Sequence, residues 1–207
     1  MAIKLTYKVL KATNSTTLNE IYPSQSFALD ETMVIGKVVS SSVISGGPYR
    51  KRAIFGFDYT REAGYDKAFL KVYEAQAFNN QATTRLEIGF QSASTTTGNM
   101  LIKGRGRRDS NPAVNEGSTW KYSNANINQQ WSEQTASIKV STDVSTSADI
   151  DIEVSELLAA ASANFRFAHI NYHSSLEDDE VIRGEIEYYS AETHTIYEPT
   201  LYVCAPD

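Results

Sequence analysis

Cysteine is nearly absent from this chain. Its one copy, Cys204, leaves no possibility of an intrachain disulfide. At 207 residues the fold does not need one, because a chain of this size buries a core of its own. No apolar run reaches the length of a membrane span. The N-terminus, Met1-Ala2-Ile3-Lys4-Leu5, has no apolar signal-peptide core, which predicts a protein folded in a cytoplasm and not on a membrane. On that reading the sequon Asn14-Ser15-Thr16 carries no glycan. Basic charge is also short: 19 Lys and Arg stand against 25 Asp and Glu, a net charge of −6. General nucleic-acid binding needs clustered cations that displace counterions, so it is not expected.

Catalytic signatures are missing in the same way. The three histidines, His169, His173 and His194, are too scattered for a metal-binding motif. No Gly-x-Ser-x-Gly elbow occurs. Cys204 sits at a strand end and reads as structural. A carboxylate pair for glycoside hydrolysis meets in space and leaves no mark in sequence. The expectation is a protein that is not an enzyme and uses no cofactor and no metal.

Aromatic residues are what the chain does have. Twelve Tyr and eight Phe favour pleated structure, where aromatic and β-branched side chains fit best. Apolar and polar residues alternate over 3–10, with Ile3, Leu5, Tyr7 and Val9 on one side, which predicts a half-buried strand. The polar stretch 11–20 predicts its end. Further strands are expected over 32–39, 51–59, 67–73, 85–90, 100–102, 137–140, 150–154, 165–172, 181–189 and 200–203. The densest apolar content of the first half lies in 51–59 and 67–73, the first candidates for the core. Ser- and Thr-rich stretches at 92–97 and 141–147 predict exposed loops. One short helix is expected near 155–162, with Ser155 as its cap and Glu156 in its first turn. Many short strands with regular turns mean a sandwich or a barrel. The domain reading is an N-terminal strand or arm over 1–20 and a single β-sandwich over 21–207.

Three groups of residues are candidate sites. The first is the basic run 103–108, with Arg105, Arg107 and Arg108. The second is the acidic run Glu177, Asp178, Asp179 and Glu180 beside His173. Opposite charge makes these two an assembly contact between copies, by electrostatic complementarity. A calcium site would need several oxygen ligands, and the acidic spacing matches no calcium-loop signature. The third group is Trp131, Tyr122 and Tyr172, aromatic faces on which a sugar ring would stack. Trp131 lies in the polar context Gln129-Gln130-Trp131-Ser132, whereas Trp120 reads as core.

The ordered strand motifs resemble a known family, the DNRLRE modules, which are related to a TGF-β-propeptide-like jelly roll. The matching pieces are Val34-Ile35-Gly36-Lys37, the strand from Arg52 to Asp58, and Ala68-Phe69-Leu70-Lys71-Val72-Tyr73. They continue with Gly117-Ser118-Thr119-Trp120, the stretch from Asp151 to Leu158, Ser190-Ala191-Glu192, and Pro199-Thr200-Leu201-Tyr202-Val203. The stretch Gln25-Ser26-Phe27 departs from the family pattern, and 103–112 has no counterpart in it. The resemblance implies an all-β, jelly-roll-like antiparallel β-sandwich. Related modules occur on bacterial surface proteins, on polysaccharide-active enzymes, and in tailed-bacteriophage structural proteins. The expectation is a bacteriophage virion accessory or decoration protein of capsid, neck or tail, folded in the host cytoplasm. Its partners would be other virion proteins and copies of itself, held by surface and β-edge contacts, with the strand Ile3 to Val9 added to a neighbour's sheet. The alternative is a carbohydrate-binding module for a cell-surface or extracellular polysaccharide.

Overall fold

The computed structural model describes residues 5–39, 46–60, 63–77, 83–92, 117–124, 129–131, 139–145, 147–160 and 165–206. In chain order the strands begin with β1 (Leu5–Asn19), β2 (Thr32–Val38), β3 (Tyr49–Phe57), β4 (Lys67–Val72), β5 (Glu74–Ala77) and β6 (Thr84–Ser92). Next come β7 (Tyr122–Asn124), β8 (Gln129–Gln130), β9 (Lys139–Val144) and β10 (Ile150–Glu153). Helix α1 (Ser155–Ala160), β11 (Phe165–Tyr172), helix α2 (Ser174–Glu177), β12 (Gly184–Tyr189) and β13 (Thr200–Pro206) complete the chain. The fold is an all-β sandwich built from antiparallel pairs, as expected, with a short helix where the sequence places one and a second, α2, that it does not announce. The expected strand at 100–102 lies outside the described residues.

One layer runs β10-β4-β13-β1, using residues 5–11 of β1. The other runs from the second half of β1 through β3, β11 and β6 to β9. At β3 this second layer forks, because β2 pairs with residues 49–51 of β3 while β11 pairs with residues 53–56. Strand β12 follows β2, and β5 follows β12. The core lies between the layers. Met33, Ile35, Phe55, Leu70, Val72, Leu86, Ile88, Ile170, Tyr188, Leu201 and Val203 are buried there, one or two from nearly every long strand. Leu157 and Leu158 of α1 close one side of it.

Strand β1 corrects one expectation. It does not stop at the polar stretch after Leu10. It crosses from one sheet to the other through an irregularity between Ala12 and Asn14, pairing with β13 before it and β3 after it. Its residues Ser15, Thr16 and Thr17 are buried because amides of other segments need acceptors. Thr16 Oγ1 accepts from the Phe27 N–H at 3.1 Å and Thr17 Oγ1 from the Val34 N–H at 2.9 Å. Ser15 Oγ accepts from the Ala191 N–H at 2.9 Å. The second correction concerns 141–147, read as an exposed loop. Its first four residues belong to β9, which extends the sheet beyond β6. In α1, Ser155 opens the helix, but its hydroxyl is engaged by the Ala68 N–H at 3.0 Å and by Glu153 at 2.8 Å.

Candidate functional site

The acidic run caps α2 and turns back into the fold. Glu177 is buried and takes a bidentate grip from Arg52 on β3, at 2.8 Å from Nε and 2.7 Å from Nη2. Lys37 on β2 is buried and reaches the Leu176 carbonyl at 2.9 Å and Asp179 Oδ1 at 2.7 Å. Arg183 bonds the other oxygen of Asp179, and the Val181 N–H adds a bond at 2.9 Å. These contacts, led by the hydrogen bond from Lys37, hold the Asp179 carboxyl down at about 2. Asp178 lies 3.9 Å from Arg50. So the four carboxylates do not form one external acidic patch. Glu177 and Asp179 are neutralised from within, and Asp178 and Glu180 face solvent. No group of three or more potential metal ligands occurs among the described residues. Arg105, Arg107 and Arg108 lie outside the described residues.

Next to this turn, Trp120 covers β3. The Arg50 and Arg52 guanidinium carbons stand 5.4 and 5.0 Å from its ring centroid, since residues two apart on a strand share a face. Arg50 is also bonded to Glu20 at 2.9 Å. Burial pushes the Glu20 carboxyl up, but the Arg50 hydrogen bonds outweigh that and leave it below its ordinary value. Trp120 and Trp131 pack on a small second core of Leu18, Ile54 and Phe167, on the opposite side of the sheet from the main core. Sequence placed Trp120 in a core but gave no hint of its two arginine neighbours.

The expected aromatic platform does not assemble. Trp131 is half-buried on the second core, and its indole N–H donates to the Thr119 carbonyl at 2.9 Å. Tyr172 is buried in the main core, where loss of water raises its phenol to about 12. Tyr122 is half-buried in β7, with Lys121 Nζ 5.1 Å from its ring centroid. The reason is local: β11 alternates, so Tyr172 falls on the face of Ile170 and opposite Phe167.

A different surface was not legible in the sequence. The apolar side of β1 points outward: Tyr7 is 62% and Val9 48% exposed. The opposite side, with Lys8 and Leu10, turns inward. Leu10 packs on the core, and Lys8 Nζ lies 5.0 Å from the Tyr65 ring centroid. Cross-strand register extends this outer face over the whole layer. One row is Val9, Tyr202, Phe69 and Glu153. A second is Lys11, Thr200, Lys71 and Asp151, and a third is Tyr7, Cys204 and Lys67. The face therefore has one apolar row, Val9, Tyr202 and Phe69, flanked by Lys67 and Lys71 on β4, with carboxylates along β10 and Lys11 on β1.

A smaller aromatic group sits elsewhere. Tyr197 is 41% exposed, stacks on Tyr189 at 5.4 Å between centroids, and meets Tyr73 at 5.1 Å. No helix of the described residues is long and apolar enough to cross a membrane. No protein-family model matches the chain, and no curated protein matches its sequence.

Proposed function

We propose that this protein is a non-enzymatic structural component of a larger assembly. By the motif resemblance to DNRLRE modules, that assembly is a bacteriophage virion, in which the chain is an accessory or decoration protein. The observation that carries the assembly reading is the outward apolar side of β1, the exposed Tyr7 and Val9, continued by the half-buried Tyr202 and Phe69. A contiguous apolar surface of this kind marks a contact site on a soluble protein. The mode of contact is the face of the sheet more than its edge. Among the described residues, 5–11 of β1 pair with β13, and β1 stands at one edge of that layer. Lys8 turns inward beside that edge, and inward-pointing charges hinder strand addition.

The test is to fractionate the source culture on a density gradient and follow the chain by mass spectrometry. The expected result is banding with intact particles, lost for a Phe69→Lys variant that still folds. Recovery only in soluble or envelope fractions overturns the virion reading.

A second reading, a carbohydrate-binding module, is favoured by one observation: the exposed Tyr197 with Tyr189 and Tyr73 beneath it. It predicts saturable polysaccharide binding that is lost in Tyr197→Ala and unchanged in Phe69→Lys.

A further inference from the structure

We propose that the outer face of the β10-β4-β13-β1 layer packs against the same face of a second copy, giving a two-fold symmetric dimer. This names the partner for the contact surface and rests on the assembly reading above.

The pattern of the face is self-complementary. A two-fold axis parallel to the strands, passing between β4 and β13, exchanges β4 with β13 and β10 with β1. Rows then fall on rows, with each contact made twice, as in any isologous interface. Tyr202 lies over Phe69 of the second copy, and Phe69 over Tyr202. Lys11 meets Asp151 of the second copy, and Asp151 meets Lys11. Val9 lies against the methylene stem of Glu153. The Tyr202–Phe69 contacts lie at the axis, with Lys71 over Thr200 and Lys67 over Cys204 on either side of them, and opposite charges meet at both rims, where a specific interface carries its polar contacts. Two faces of this type stack about 10 Å apart with nearly aligned strands.

The charges present favour this arrangement. The chain carries a net −6, so most of its surface repels a second copy. This face instead carries Lys11, Lys67 and Lys71 against Asp151 and Glu153. Their present ion pairs are partly exposed: Lys11 with Glu198 at 3.4 Å and Lys71 with Asp151 at 3.0 Å, the lysine of the first pair and the aspartate of the second both more than half exposed. Exposed pairs of this kind contribute little on their own.

The experiment is sedimentation equilibrium of the purified full chain over a range of concentrations. The expected result is a reversible transition from the 22.9 kDa monomer to twice that mass. Phe69→Lys and Tyr202→Lys should each weaken it by about 100-fold, the size of effect expected from central anchors. Lys11→Glu and Asp151→Lys should each weaken it, and the double variant should regain association. Circular dichroism checks that each variant folds. A second measurement needs no substitution: the axis brings the two Cys204 residues near each other, so a short bis-maleimide should link copies. A monomer at every concentration overturns the proposal. So does a dimer indifferent to Phe69→Lys, a double variant that stays dissociated, or a dimer that is not linked through Cys204. A purified monomer that still bands with particles sinks the dimer alone. A dimer that never bands with particles sinks the virion reading alone.

Discussion

Lys37 Nζ stands 2.7 Å from Asp179 Oδ1, and the lysine side chain is only 1% exposed. The ammonium also holds the Leu176 carbonyl, so one cation ties β2 to the end of α2. Removing one partner of a buried, hydrogen-bonded charge set leaves the others unsatisfied. Lys37→Ala should therefore cost roughly 3 kcal/mol of folding stability. Urea denaturation, read as a shift in midpoint at unchanged slope, checks this.

His169 sets an acid limit. Burial lowers its imidazole to about 4, and Lys139 and Arg52 push in the same direction. Its Nδ1 has no hydrogen-bond partner among the described residues. In the unfolded chain the group takes up its proton near pH 6.5, whereas the folded protein resists until about pH 4. Unfolding is thus favoured as pH falls through this window, by at most about 3 kcal/mol, and the contribution levels off below it. Stability measured from pH 7 to pH 4 should lose that part of its slope in His169→Gln.

Gly89 and His169 are cross-strand neighbours, and the imidazole lies where a side chain at 89 would begin. A Cβ there collides with the ring. Gly89→Ala should destabilise by about 2 kcal/mol, typical of overpacking. In a His169→Ala background the same change should be nearly neutral. A double-mutant cycle by thermal denaturation reads the coupling, and additive costs would show the ring to be free to move aside.

Trp120 holds residues 117–124 on β3 through Arg50, Arg52 and the second core. Trp120→Ala should cost about 2 kcal/mol, less than a fully buried tryptophan because it is half-buried. The loss should be local, with earlier hydrogen exchange of amides in 117–124 and unchanged exchange in β4 and β13. Uniform acceleration over the whole chain would contradict a local role.

Much of the fold could be read directly. Strands β2, β4 and β10 stand nearly where they were expected, and in β10 the alternation that placed it follows from the pleat itself. Strands β5, β7 and β8 were missed, since two to four residues give too short a pattern. Helix α2 was missed for the same reason. The acidic run was legible as charge, but two of its counter-ions, Lys37 and Arg52, come from more than a hundred residues away.

The candidate surfaces divide along the same line. Alternation in β1 fixes that Tyr7 and Val9 share one side and Lys8 and Leu10 the other. It does not state which side meets the core, because both faces have the same period. Only the crossover at Ala12–Asn14, which commits one half of β1 to each sheet, turned the apolar side outward. The polar residues Ser15 to Thr17 went inside for a related reason: residues Phe27, Val34 and Ala191, from other parts of the chain, supplied the amides they accept from. Local periodicity and composition determined the strands and the all-β class. Long-range pairing alone decided which residues are covered and which remain open to a partner.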